Sequence, residues 1–156
     1  MSFLSLNGID NEGSLNLNGA TITSTIPMNL SNDSSLFGSG EILGGVNISL
    51  RSGLSPGDGT GIISTGDLFL LSNSTLLQDN SVMNAEVNGI ASGTQHDQIV
   101  VTGTVTLNGV DLNLIGGYTN TSSDEIILIA NDDNDAINGT FNNLQEGDSV
   151  NFGDFS

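Results

Sequence analysis

The chain contains no cysteine, no tryptophan and no lysine, and only two of its 156 residues are proline. Without cysteine, no disulfide can hold the fold, and thiol chemistry is excluded. With six Phe and one Tyr as the only aromatics, a core has to be assembled from Leu, Ile and Val. Such side chains suit narrow interiors in which stacked strands repeat the same aliphatic position. The single cation is Arg51, against 18 acidic residues, so the formal charge is −17. Nucleic-acid binding needs Lys and Arg to neutralise phosphate, and adsorption to an anionic membrane surface needs the same groups. Neither partner is expected. No run approaches the length of a membrane span, so no membrane insertion is expected. The opening Met1-Ser-Phe-Leu-Ser-Leu-Asn has no basic start, apolar run or small-residue cleavage site, and does not read as a signal peptide.

What is present is alternation. The phrase Leu-x-Leu-Asn-Gly occurs at Leu4–Gly8 and Leu15–Gly19, and with Val first at Val105–Gly109. Apolar and polar residues taking turns mark a pleated surface with one face buried. Asn-Gly accepts the positive φ angles of a tight bend. Short strands are expected at Phe3–Leu6, Ser14–Leu17, Ala20–Thr23, Met28–Leu30, Ser35–Phe37, Glu41–Leu43 and Val46–Leu50, separated by polar or glycine punctuation. No stretch carries a helical period. Although the net charge is high, apolar residues make up 36% and fall in order, which argues against disorder.

Short strands at irregular spacing, with glycine-marked corners, predict an all-β, single-domain, right-handed parallel β-solenoid (a β-helix) over residues 1–156. Each coil should stack about 4.8 Å above the last. An antiparallel β-sandwich is the alternative, although hairpin folds favour longer strands joined by two-residue turns.

Several stretches read together carry a resemblance. They are Gly38-Ser-Gly-Glu-Ile-Leu-Gly-Gly-Val with Leu54-Ser-Pro-Gly, Thr65-Gly-Asp-Leu-Phe-Leu, Ser74-Thr-Leu, Gly93-Thr-Gln-His-Asp-Gln-Ile-Val-Val-Thr-Gly and Gly139-Thr-Phe. Over roughly residues 35–151 they resemble the strand phrases of autotransporter-like bacterial surface proteins with passenger-type β-helices. The resemblance implies a β-helical scaffold at the cell surface or outside the cell, and it implies no particular activity. Relatives of that type commonly place Tyr where this chain has His96, and tend to run on into further strands beyond a Gly-Asp-Phe-like stretch.

Candidate sites are few. His96-Asp97 is the one place where an imidazole adjoins a carboxylate, but no Gly-x-Ser-x-Gly elbow or cysteine supplies a nucleophile. Polysaccharide lyases need cations to neutralise a uronate, and one Arg cannot supply them. Paired carboxylates (Asp124-Glu125, Asp132-Asp133) would suffice for a glycoside hydrolase, yet no aromatic sugar platform flanks them. No enzyme activity and no cofactor are expected. Asn131, Asp133 and Asp135 imitate the opening of an EF-hand loop, but Ala136 and Asn142 stand where that loop needs Gly and a bidentate Glu, so weak calcium binding is the most they offer. Asn-x-Ser/Thr triplets at Asn29, Asn32, Asn47, Asn73, Asn120 and Asn138 are unsurprising in a chain so rich in these residues.

No amphipathic capping helix is visible at either terminus. Bare ends of a solenoid template further strands, which points to a homo-oligomer built head to tail. Its contacts are expected around Phe3, Leu4 and Leu6 at one end and Val150, Phe152 and Phe155 at the other. The functional expectation is an extracellular or cell-surface structural protein, a subunit of a self-assembling filament or surface matrix. The alternative is an adhesin-type binding module from a longer surface protein, contacting a cell surface or glycan.

Overall fold

Strands whose alternate residues are apolar can bury those residues on one side only, and three such strands per turn enclose a narrow interior. The computed structural model, described here for residues 9–10, 13–72, 80–119, 121, 123–132 and 135–150, is built in this way. The first coil holds β1 (Ile9–Asp10), β2 (Ser14–Asn16) and β3 (Thr21–Ile22), and the second β4 (Met28–Ser31), β5 (Ser35–Gly38) and β6 (Gly40–Ile42). The third holds β7 (Val46–Ile48), β8 (Gly53–Pro56) and β9 (Ile62–Thr65), and the fourth β10 (Leu68–Leu71), β11 (Val82–Glu86) and β12 (Gln98–Val101). The fifth holds β13 (Val105–Asn108), β14 (Asp111–Ile115) and β15 (Ile129–Asn131), after which β16 (Ile137–Thr140) opens a sixth.

Three sheets result. Sheet 1 has six strands in the order β1-β4-β7-β10-β13-β16; sheet 2 runs β2-β5-β8-β11-β14 and sheet 3 runs β3-β6-β9-β12-β15. Every ladder between these strands is parallel. The described residues form no helix. The chain is a parallel β-solenoid, and the antiparallel sandwich is excluded because no pair of strands turns back on itself to form a hairpin.

Register makes inward columns. Met28, Val46, Leu68 and Val105 stack in sheet 1, followed by Ile137. Leu15, Leu36, Leu54, Met83 and Leu112 stack in sheet 2. Their central members belong to one continuous buried cluster. The corner between sheets 1 and 2 buries serines instead. Ser34, Ser52 and Ser81 are all inside, and the Ser34 N–H donates to Ser52 Oγ at 3.2 Å. Small hydroxyls fit a bend in which a leucine would not, and satisfy the backbone groups that the bend leaves unpaired.

The strands expected between Ser14 and Leu50 are found within a residue or two, and Val46–Leu50 ends at Ile48. It ends there because Leu50 and Arg51 take φ of 51° and 65°, a left-handed pair that turns the corner. The expected strand Phe3–Leu6 lies outside the described residues. The Asn-Gly phrase is not the coil unit. Leu15–Gly19 leads from sheet 2 to sheet 3, whereas Val105–Gly109 leads from sheet 1 to sheet 2. At the first copy Asn18 and Gly19 both have positive φ, and the Ala20 N–H closes the turn onto the Leu17 carbonyl at 2.8 Å. Two different corners use that phrase, so it marks a corner without saying which.

Candidate functional site

Extra chain accumulates at the corner between sheets 2 and 3. It is the single residue Ser39 in the second coil, 57–61 in the third, 87–97 in the fourth and 116–128 in the fifth. The loop 87–97 contains His96 and Asp97, which are 3% and 1% exposed. The Asp97 carboxylate accepts the Gly61 N–H and the Glu86 N–H, each at 2.8 Å, and so ties the fourth coil to the third. Burial pushes its pKa above the ordinary carboxylate value, and the two backbone donors oppose that rise. His96 Nδ1 lies 3.1 Å from the Gly89 carbonyl oxygen, and its Nε2 is buried. With Nδ1–H donating to that carbonyl, the ring holds the loop closed. This pair is enclosed: the Asp97 carboxylate and His96 Nδ1 are engaged by backbone, while His96 Nε2 has no hydrogen-bond partner among the described residues.

Several other carboxylates are engaged locally. Asp124 accepts the Tyr118 hydroxyl at 2.6 Å and the Thr121 N–H at 2.7 Å, which hold its carboxyl below the usual range and raise the Tyr118 hydroxyl. Arg51 forms a bidentate pair with Asp33, Nε–Oδ1 and Nη2–Oδ2 both 2.8 Å, clamping two stacked corners. The expected calcium loop contains Asn131 and Asp135 in proximity, but the Asn131 amide donates to the Asp135 carbonyl at 2.6 Å and its carboxylate at 3.2 Å. Asp133 lies outside the described residues. Among the described residues no three His, Asp or Glu side chains converge as metal ligands would.

A shallow groove of about 280 Å³ runs along the corner between sheets 3 and 1, with Ile26, Pro27, Leu43, Gly44, Gly66 and Asp67 on its walls. Its glycines are required by close approach. A Cβ on Gly66 would stand 2.7 Å from the Gly44 carbonyl oxygen.

The most distinctive chemistry is at the ends of the stack. Among the described residues, strands β14, β15 and β16 each pair with a strand on one side only, as do β1, β2 and β3 at the opposite end. Ile137 continues the Met28–Val46–Leu68–Val105 column, whose members are almost wholly enclosed, yet it is 42% exposed. Leu112, Leu114 and Ile129 at that end, and Leu15 and Ile22 at the other, are only partly covered. Of the residues expected to make end contacts, Val150 is described and belongs to no strand; Phe3, Leu4, Leu6, Phe152 and Phe155 lie outside the described residues. The described ends therefore consist of residues that were not singled out beforehand. Their alternation was visible, but which coil comes last was not.

A parallel β-solenoid defines the class of this protein. Comparison with protein-family models, with curated proteins and with solved structures finds no match to the chain.

Proposed function

We propose that this protein is an extracellular structural subunit that assembles end to end, by β-strand pairing, into a filament or surface matrix. The observation that carries the reading is Ile137, the sixth-coil member of an otherwise enclosed aliphatic column, left 42% exposed on a strand that has no further strand beyond it among the described residues. Both ends of a parallel solenoid point their strands in the same direction, so one copy can continue another by translation along the axis and rotation about it. A heterologous contact of that kind propagates rather than closing into a dimer. Engagement of Asp97 and Asp124 by hydrogen bonds within the fold favours a scaffold over catalysis.

Asp111, Asp124, Glu125, Asp132, Asp135, Glu146 and Asp148 all belong to the last described coils, so that end carries dense negative charge. Stacking brings like charges together, and screening by salt or divalent cations should relieve that repulsion. The test is electron microscopy with sedimentation, on concentrated protein across a series of NaCl, CaCl₂ and MgCl₂ concentrations. Filaments one solenoid wide, more abundant as ionic strength rises, are expected. A monodisperse monomer under all of these conditions would refute the reading.

A further inference from the structure

Asn-Gly occurs five times in the chain, at Asn7, Asn18, Asn88, Asn108 and Asn138. Besides turning corners, the pair carries a reaction. Glycine has no side chain to shield its nitrogen, which can attack the side-chain carbonyl carbon of the preceding asparagine and close a five-membered imide ring. The attack needs a glycine N–H that is not already given to a carbonyl, and a backbone free to swing that nitrogen toward the side chain. A hydrogen-bonded or laddered site has to open locally before it can react.

Four of the five sites are described, and they differ in these respects. The Gly19 N–H donates to the Ser39 carbonyl at 2.7 Å, and the Gly109 N–H to the Thr140 carbonyl at 3.2 Å. Asn138 and Gly139 lie inside β16 opposite Thr106 and Leu107, where the ladder fixes the backbone and Gly139 is pressed against the Leu107 carbonyl. Asn88-Gly89 stands apart. It lies in loop 87–97 and in no strand, Asn88 is exposed, and the Gly89 N–H has no acceptor among the described residues.

We infer that Asn88 is a site of spontaneous deamidation, converted through a cyclic imide to aspartate and isoaspartate. The Gly89 nitrogen loses its proton to water or hydroxide and bonds to Asn88 Cγ. The Cγ–Nδ2 bond then breaks, and Nδ2 takes a proton from water and leaves as ammonia. One further water opens the imide. Cleavage between Cγ and the Gly89 nitrogen gives aspartate, and cleavage between that nitrogen and the main-chain carbonyl carbon gives isoaspartate. The sum is one water consumed and one ammonia released, with no redox change.

The surroundings make either product disruptive. The Asn88 side-chain amide donates to Glu86 Oε1 at 2.7 Å, and a carboxylate in its place meets Glu86 as a like charge. The Asn88 N–H donates to the Gln95 carbonyl at 2.7 Å, and the Gly89 carbonyl oxygen lies 3.1 Å from His96 Nδ1. These closing contacts stand on either side of the reacting link. Isoaspartate adds one main-chain carbon between them and shifts one against the other. The loop ends at Asp97, whose carboxylate holds the Gly61 and Glu86 N–H groups, so ageing at Asn88 loosens the tie between the third and fourth coils.

The test keeps the full chain in warm, mildly alkaline buffer, either folded or in concentrated urea. Digestion with a glutamate-directed protease and tandem mass spectrometry then follow each Asn-Gly. In the folded protein Asn88 should convert at least about tenfold faster than Asn18, Asn108 and Asn138, whereas in urea the four should convert at similar rates. Asn88→Gln, which would have to close a larger ring, should remove the early release of ammonia. It is a cleaner block than Gly89→Ala, whose Cβ would stand 2.7 Å from Gln95 Oε1. Hydrogen exchange at the Gly61 and Glu86 amides should be faster in aged protein than in fresh protein, and unchanged by the same ageing in Asn88→Gln. Conversion at Asn88 no faster than at the other three sites in the folded chain would overturn the assignment. Conversion at Asn88 with unchanged exchange at Gly61 and Glu86 would overturn the loosening of the tie.

Discussion

Leu54 lies in the middle of the sheet 2 column and is 1% exposed, whereas Leu112 ends the same column and is only partly covered. Leu54→Ala removes methyl groups from an enclosed site between Leu36 and Met83, whose backbones are fixed by ladders on both sides. The site has little freedom to collapse, so a loss of about 3 kcal/mol is expected. Leu112→Ala empties a site that is already partly open to water, and about 1–1.5 kcal/mol is expected for the dilute monomer. With an m-value of about 2 kcal/mol per molar urea, the unfolding midpoints should fall by about 1.5 M and about 0.6 M. Urea titration followed by far-ultraviolet circular dichroism, at a concentration where sedimentation shows only monomer, measures both. Equal losses at the two positions would refute the argument that covering by a neighbouring coil sets the stability of each layer.

Asp97→Asn replaces a carboxylate that accepts two backbone N–H groups with an amide that turns an N–H toward one of them; urea unfolding at pH 7 should show a loss of about 1–3 kcal/mol. Gly66→Ala drives a methyl group against the Gly44 carbonyl, and a loss of about 1–3 kcal/mol by the same assay is expected from overpacking. Carboxyl titration by NMR should place Asp97 above and Asp33 below the ordinary aspartate range. Because the folded value of Asp97 is raised, its contribution to stability is present below the unfolded pKa and fades as pH rises through the folded one. Asp33 acts in the opposite sense: its contribution is present above the unfolded pKa and is lost as pH falls through the lowered folded value. Arg51→Ala should return Asp33 to the ordinary range, since the Arg51 guanidinium is the leading cause of its shift.

Strand positions were legible because burial on one face leaves a period of two, and Met28-x-Leu30 or Val46-x-Ile48 display it without help from the rest of the chain. The parallel stacking was legible from the brevity of those strands. The assembly of coils was not. Residues opposite one another are 18 apart from Met28 to Val46 but 37 apart from Leu68 to Val105, since the corner between sheets 1 and 2 and the corner between sheets 2 and 3 are both longer in the fourth coil, and no fixed repeat survives such insertions. The Leu50–Arg51 corner carries no Gly or Asn to announce its positive φ. His96-Asp97 was noticed as a pair. Its work as a tie between coils depends on Gly61, which is 36 residues from Asp97, and distance along the chain conceals that. The exposed column ends stayed hidden for a related reason. Ile137 reads like any other inward isoleucine until it is known that no further strand lies above it among the described residues.

Fibre diffraction from aligned, concentrated protein tests the central claim most directly. Coils that stack along the axis and continue from one molecule into the next require a strong reflection at about 4.8 Å along the fibre direction. Material that cannot be aligned, or that places that spacing across the fibre, would contradict it.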